Sequence, residues 1–211
     1  MNEHAEAQAV VFVIDDDNVL REALSRLFRS AGLQVRAFAS AAEFLQMELP
    51  DCPACMVLDV FLPGVSGLDF QCELAKAGVD IPIVFMTGHG NIRMTVRAMK
   101  AGAVEFLPKP FRDQDMLDAV KIGLERDCSR RKAASDAAKL KATFGSLTVR
   151  EQEIMGLVTA GLMNKQIAGK LGVSEITIKV HRGNVMRKMG AKSLAELVRM
   201  AVALGVRRTI A

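Results

Sequence analysis

Val10-Val11-Phe12-Val13-Ile14-Asp15-Asp16-Asp17 decides the fold: five uninterrupted apolar residues run straight into three carboxylates. A continuously apolar run of that length reads as a strand buried on both faces. Similar runs, each bounded by Gly, Pro or Asp, recur at Leu33–Phe38, Cys55–Leu58, Ile81–Met86 and Val104–Leu107. Amphipathic stretches of helical length lie between them. Leu20, Leu24, Leu27 and Phe28 repeat at helical spacing before Gly32, and Ser40-Ala41-Ala42-Glu43 is a capping-box pattern. Alternating strands and helices imply a doubly wound α/β domain around a five-stranded parallel sheet.

After Lys109-Pro110, Asp113 can cap a helix beginning near Gln114, and no proline interrupts the chain from there to Thr143. Gly123 is its one soft point. The apolar positions Met116, Leu117, Val120 and Leu124 give way to Arg130-Arg131-Lys132, so the helix is expected to continue as a charged linker over residues 126–143. From 144 to 211 the pattern is all helical. Thr148 with Glu151 and Ser193 with Glu196 form capping boxes, Ser174 caps a third helix, and Gly161, Gly172, Gly190 and Gly205 stand at helix ends. Four short helices are expected, at 149–160, 165–171, 175–189 and 194–204.

The 211 residues suit two domains, and a composition half hydrophobic and one quarter charged excludes a disordered or fibrous chain. No apolar run approaches the ~20 residues of a membrane span, and Met1-Asn2-Glu3-His4 lacks a basic leader region; a soluble cytoplasmic protein without a membrane partner is expected. The net charge of +4 conceals a split. Residues 1–125 carry 11 Lys and Arg against 18 Asp and Glu, whereas residues 126–211 carry 17 against 6. The basic half suits a phosphate-rich polymer, and the acidic half suits cations. Cys52-Pro53-Ala54-Cys55 leads into a strand instead of opening a helix, and no second pair or suitably spaced histidine completes a zinc set. Ordinary reduced thiols are expected.

In a parallel α/β sheet, ligands bind beyond the carboxyl ends of the strands. The first strand is followed by Asp15 and Asp16, the third by Asp59, the fourth by Thr87 and the fifth by Lys109. Singly, each has a bland explanation as a helix cap or solvated charge. Together they place carboxylates, a hydroxyl and an ammonium on one rim. Crowded carboxylates call for a raised pKa or a hard divalent cation, and Mg²⁺ beside a lysine suits phosphoryl chemistry. Asp17 reads as a cap, and His89 as a loop residue without a partner.

On these residues the first domain, 1–125, resembles the receiver domain of two-component response regulators, a flavodoxin-like fold. The resemblance rests on Val13-Ile14-Asp15-Asp16, Leu58-Asp59-Val60-Phe61-Leu62-Pro63-Gly64, Met86-Thr87-Gly88 and Leu107-Pro108-Lys109-Pro110. It implies that Asp59 is the phosphoacceptor, and that Asp15, Asp16, Asp59 and the Phe61 main-chain carbonyl hold Mg²⁺. It also implies that Thr87 and Lys109 contact the acyl phosphate, with Thr87 and Phe106 as the switch pair. Phe106 stands where relatives often have Tyr, and Leu62 where Met is usual. Phe61, two positions past the phosphoacceptor, is expected to hinder attacking water and slow autodephosphorylation.

In the basic domain, a helical wheel over residues 175–189 turns Ile178, Val185 and Met189 inward and Val180, Gly183 and Arg187 outward. A short helix and the Gly172 turn precede it, the spacing of a helix-turn-helix. Leu147-Thr148-Val149-Arg150-Glu151, Asn164-Lys165-Gln166-Ile167-Ala168 and Val173 to His181 resemble the LuxR-type DNA-binding domain, and the whole chain resembles the FixJ/NarL family. Thr177, Lys179, Val180, Asn184, Arg187 and Lys188 are the expected DNA contacts, with Val180 suited to a thymine methyl. Gly183 replaces a long basic residue of some relatives. His181 is expected to pack.

The resulting expectation is a transcription regulator phosphorylated on Asp59 by a sensor histidine kinase. It would bind promoter DNA and form a homodimer when phosphorylated or DNA-bound, with the last helix as the DNA-bound dimer contact and RNA polymerase as a further candidate partner. It would not be a turnover enzyme, beyond slow self-dephosphorylation. Two alternatives are a Mg²⁺-dependent phosphatase, discriminated by turnover on a small phosphate ester, and a phosphorylation-independent dimerisation module, discriminated by equal operator binding with and without phosphate.

Overall fold

The structure is a computed structural model and describes residues 9–206; the opening Met1-Asn2-Glu3-His4 lies outside them. The first unit alternates β1 (Val10–Ile14), α1 (Asn18–Ser30), β2 (Gln34–Phe38), α2 (Ala41–Leu45), β3 (Ala54–Asp59), α3 (Gly67–Lys76), β4 (Ile83–Thr87), α4 (Ile92–Lys100), β5 (Glu105–Pro108) and α5 (Asp113–Gly145). The five strands form one parallel sheet in the order β2-β1-β3-β4-β5. That is the flavodoxin-like order, with its switch point between β1 and β3.

Alternation along the central strands divides two cores. Phe12, Ile14, Met56, Leu58 and Phe85 face the layer holding α2, α3 and α4, while Val11, Val13, Cys55, Val57, Val84 and Met86 face α1 and α5. The first core is built on phenylalanines that meet edge to face, Phe44 lying 5.3 Å from Phe12, 5.5 Å from Phe38 and 6.1 Å from Phe70 between ring centroids. In the second, a Cβ at Gly123 would sit 2.5 Å from the Cys55 sulfur, so α5 reaches β3 only because residue 123 has no side chain. Burial pushes the Cys55 thiol up to about 12, which leaves it without thiolate character at neutral pH.

Local chemistry sets the helix starts. Asp17 caps α1 by accepting from the Val19 and Leu20 amides, and Ser40 caps α2. Asp113 is the first residue of α5 rather than its cap.

The chain separates into two compact units between Arg131 and Lys132. Before that point Asp127, fully buried, accepts from the Ala54 amide at 2.9 Å, from Arg131 Nε at 2.7 Å and from the Arg130 guanidinium. This tie falls inside the stretch expected as linker and anchors it to the start of β3. The second unit comprises the end of α5, α6 (Val149–Thr159), α7 (Asn164–Leu171), α8 (Glu175–Met189) and α9 (Leu194–Ala203) around Ile154, Met155, Ile167, Ile178, Val185 and Leu197. Leu140 and Phe144 pack against this core. The Thr148–Glu151 capping box is made in both directions, and α7 stops at Gly172, whose φ of 66° is the left-handed turn that glycine adopts freely. No helix among the described residues is long and apolar enough to cross a membrane.

Candidate functional site

Three strand ends converge on one cluster. Asp15 is fully buried at the end of β1, Asp16 is exposed beside it, and Asp59 closes β3 at 7% exposure. Carboxylate oxygens of Asp15, Asp16 and Asp59 all lie within 4.8 Å of one another. Lys109, just past β5, places its Nζ 2.7 Å from Asp15 Oδ2 and 2.7 Å from Asp59 Oδ2. One cation therefore bridges two of the three carboxylates.

Backbone donors take the remaining oxygens. Asp15 Oδ1 accepts from the Asp17 amide at 2.8 Å, and Asp59 Oδ1 from the Phe61 amide at 3.0 Å. Burial raises the Asp15 pKa above the ordinary carboxylate value despite these bonds and Lys109. For Lys109 burial alone would lower the pKa, but the bonds to Asp15 and Asp59 outweigh it and the net direction is upward. The ammonium stays charged at neutral pH. Residual negative charge on a partly desolvated rim with oxygen donors only is the donor chemistry of a hard divalent cation.

Thr87 and Phe106, the expected switch pair, are joined through a glycine. Thr87 is fully buried at the end of β4, and its Oγ1 accepts from the His89 amide at 3.2 Å. Phe106 is buried in tilted contact with Phe85 at 6.2 Å. A Cβ on Gly90 would stand 2.9 Å from both the Phe106 ring and the Thr87 methyl, so the β4–α4 loop threads between them. Gly67 is tighter still: its Cβ would fall 2.2 Å from the Asp59 carbonyl oxygen. Neither glycine was singled out from the sequence.

Phe61 is half exposed, and its ring meets the His89 ring edge to face at 6.4 Å. No partner for His89 was legible in the sequence. The contact joins the loops after β3 and β4, adjacent strands whose ends carry Asp59 and Thr87.

In the second unit α7, the Gly172 turn and α8 form a helix-turn-helix. Ile178, Val185 and Met189 are buried, while Lys179, Val180, Gly183 and Arg187 are exposed and Thr177 and Asn184 half-buried. Arg187 donates to Asn184 Oδ1 at 3.0 Å, and Arg182 to Asn164 Oδ1 at 2.7 Å, the latter tying α8 to α7. Lys188, also an expected DNA contact, places its ammonium 2.7 Å from buried Glu151 and so ties α8 to α6. Lys188 and the Thr148 amide hold the Glu151 carboxyl below its ordinary range. His181 has a buried Nδ1 with no hydrogen-bond partner among the described residues, in keeping with packing.

An acidic rim on a five-stranded flavodoxin-like sheet, followed by a helix-turn-helix unit, defines a class of two-domain DNA-binding regulators. Residues 11–121 match the response regulator receiver domain family, and residues 145–201 the bacterial regulatory proteins of the luxR family. The chain belongs to the two-component response regulators with a LuxR-type DNA-binding domain. It is 58% identical over 205 residues to Nodulation protein W of Bradyrhizobium diazoefficiens, covering 96% of this chain and 90% of that one. It is 43% identical over 196 residues to the transcriptional regulatory protein FixJ of Azorhizobium caulinodans, covering 93% of each. The solved structure of the response regulator StyR superposes with a TM-score of 0.85 at 51% identity, covering 93% of this chain and 99% of that one.

Proposed function

We propose that Asp59 takes a phosphoryl group from a sensor histidine kinase and that the resulting acyl phosphate controls dimerisation and sequence-specific DNA binding in the cytoplasm. The observation carrying this reading is the Lys109 ammonium bonded at once to Asp15 and Asp59 at 2.7 Å. A structural lysine needs one partner; one shared between two carboxylates at strand ends is poised for an incoming anion.

An Asp59 oxygen attacks the phosphorus of the kinase phosphohistidine. The P–N bond breaks, its electron pair leaves with the imidazole, which takes up a proton, and an acyl phosphate forms. Asp15, Asp16, Asp59 and the Phe61 main-chain carbonyl would hold Mg²⁺, which supplies neutralisation of the phosphoryl oxygens. Lys109 then exchanges its bond to Asp59 for one to the phosphoryl group. Thr87, whose oxygen already accepts from the His89 amide, donates its proton to a phosphoryl oxygen. Its displacement vacates the space beside Gly90 into which Phe106 repacks.

That repacking reaches α4, where Ala98 is buried while Ile92, Val96 and Met99 are exposed at 83%, 45% and 42%. The apolar residues support the face of α4 and α5 as the dimer surface of the phosphorylated receiver. Pairing two receivers raises the local concentration of one DNA-binding unit at its neighbour's half-site, so occupancy rises without new base contacts. α9, with Leu194 and Val202 exposed, supports a second contact on DNA. Thr177, Lys179, Val180, Asn184 and Arg187 carry the groove contacts.

Acetyl phosphate with Mg²⁺ tests the reading. The wild type gains one phosphoryl group per chain by intact mass, dimerises in sedimentation and footprints promoter DNA more tightly. Asp59→Asn loses all three responses. Multiple turnover on a small phosphate ester, or an unchanged footprint, overturns the proposal.

A further inference from the structure

α8 carries a glycine that the folded chain does not need. A Cβ at Gly183 would meet no atom within 4 Å, and its φ is not positive. Neither packing nor backbone conformation asks for glycine there. A mid-helix glycine nevertheless weakens folding by about five-fold in equilibrium constant relative to alanine. The position is therefore explained by something outside the chain.

Its neighbours on the helix surface say what. At 100° per residue, Ile176, Val180, Gly183 and Arg187 fall within a sector of about 60° on the face opposite buried Ile178, Val185 and Met189. Ile176 is 77% exposed and Val180 58%, two branched apolar side chains one turn apart with no cover. Exposed Lys179 flanks them and exposed Arg187 ends the row, so the surroundings are cationic. An apolar pair, a gap and a guanidinium, on the outer helix of a DNA-binding unit, fit a duplex: thymine is the base whose major-groove edge offers a methyl group.

The dimensions agree. A helix with side chains is about 10–12 Å across and the major groove about 12 Å wide, so a bare position at mid-helix lets the axis sit deeper. The eleven steps from Ile176 to Arg187 span about 17 Å, the axial length of roughly five base pairs.

We propose that Ile176 and Val180 read thymine methyl groups in each half-site while Gly183 provides the close approach of α8 to the groove floor. Ile176 and Gly183 are thereby specificity-determining residues. The inference rests on the reading of α8 as the groove helix and adds which bases it selects.

The test starts from a randomised duplex pool selected with the full-length protein treated with acetyl phosphate. The enriched duplex is then remade with deoxyuridine in place of each thymidine, which deletes the methyl and nothing else. Loss of about four-fold in affinity per read methyl is expected, from the transfer of one buried carbon. Ile176→Ser abolishes the effect at one position and keeps it at the others. Gly183→Ala separates groove contact from folding: it raises the melting temperature yet weakens DNA binding at least ten-fold. Uridine substitution that changes no affinity by more than two-fold, or Gly183→Ala binding as tightly as the wild type, overturns the inference and leaves sequence-specific binding standing. A pool with no enriched sequence overturns both.

Discussion

Replacing Lys109 by alanine isolates the charge balance of the acidic rim. The lysine bonds at 2.7 Å to Asp15, whose side chain has no exposure, and to Asp59, whose side chain is 10% exposed. Removing one partner of a buried pair costs about 3–5 kcal/mol, a large share of the ~5–15 kcal/mol that holds a typical domain together. Here one cation serves two anions, which places the loss toward the upper end. Protonation offers a partial escape. Burial already raises the Asp15 pKa, and without Lys109 it climbs further, so the folded variant binds more protons than the unfolded chain. Stability then falls as pH rises, and the penalty is largest near pH 7.5 and smallest near pH 4.5. Mg²⁺ at a hundred times its Kd adds about 2.7 kcal/mol, and more of the lost stability returns in the variant because the rim is more negative. The chain has no Trp or Tyr, so scanning calorimetry with far-ultraviolet ellipticity is the suitable assay. A drop of roughly 10–20 °C is expected for the receiver transition at pH 7.5. A variant melting within a few degrees of the wild type, or one whose deficit grows on acidification, refutes the charge-balance argument.

Phe61→Ala and His89→Ala each shorten the phosphorylated lifetime, by roughly three- to ten-fold, and the double variant is no faster than the worse single one because the rings act as a pair; decay of the phosphorylated mass peak measures this, and additive effects would contradict the pairing. Asp127→Asn destabilises the first unit by about 2–3 kcal/mol at pH 7, since charge-assisted bonds to Arg131 and Arg130 become weak neutral ones. Burial alone would raise the Asp127 pKa, but those bonds and the Ala54 amide outweigh it and lower it. Its contribution is therefore complete above about pH 4 and lost as pH falls through the lowered value, so wild type and variant melts converge in acid. Lys188→Ala leaves buried Glu151 without its ammonium and lowers the melting of the second unit, while the salt dependence of DNA binding keeps its slope. A reduced slope would return Lys188 to the phosphate contacts.

The sheet was legible because both of its faces are covered. The central strands β1, β3 and β4 therefore had to be apolar at successive positions, whereas edge strand β2 carries exposed Gln34 and Arg36, and the ends differed by one or two residues where half-buried Leu33 and buried Ile81 stand outside the ladder. The rim was legible for a related reason: a parallel sheet delivers its strand ends to one edge, so Asp15, Asp59, Thr87 and Lys109 are brought together by topology alone. Partnerships between loops had no such periodic signal. The Phe61–His89 contact, the Gly90 passage between Thr87 and Phe106 and the Asp127 tie to Ala54 depend on where three-dimensional neighbours fall, and side-chain spacing along the chain is silent about that.

Lys188 shows the limit most plainly, and also its cause. On a helical wheel Lys188 falls about 80° from Ile178, at the flank of α8, where a lysine stem of four carbons can reach an anion on the neighbouring helix. Glu151, fixed by the capping box with Thr148, is such an anion. The same wheel succeeds for Val180 and Gly183 because a branched apolar side chain and a glycine cannot reach round the helix, and that holds for Ile176 too. Short side chains report the face on which they stand, and for that reason the apolar row is the firmer guide to what α8 recognises, while the long cations around it set how tightly a duplex is held.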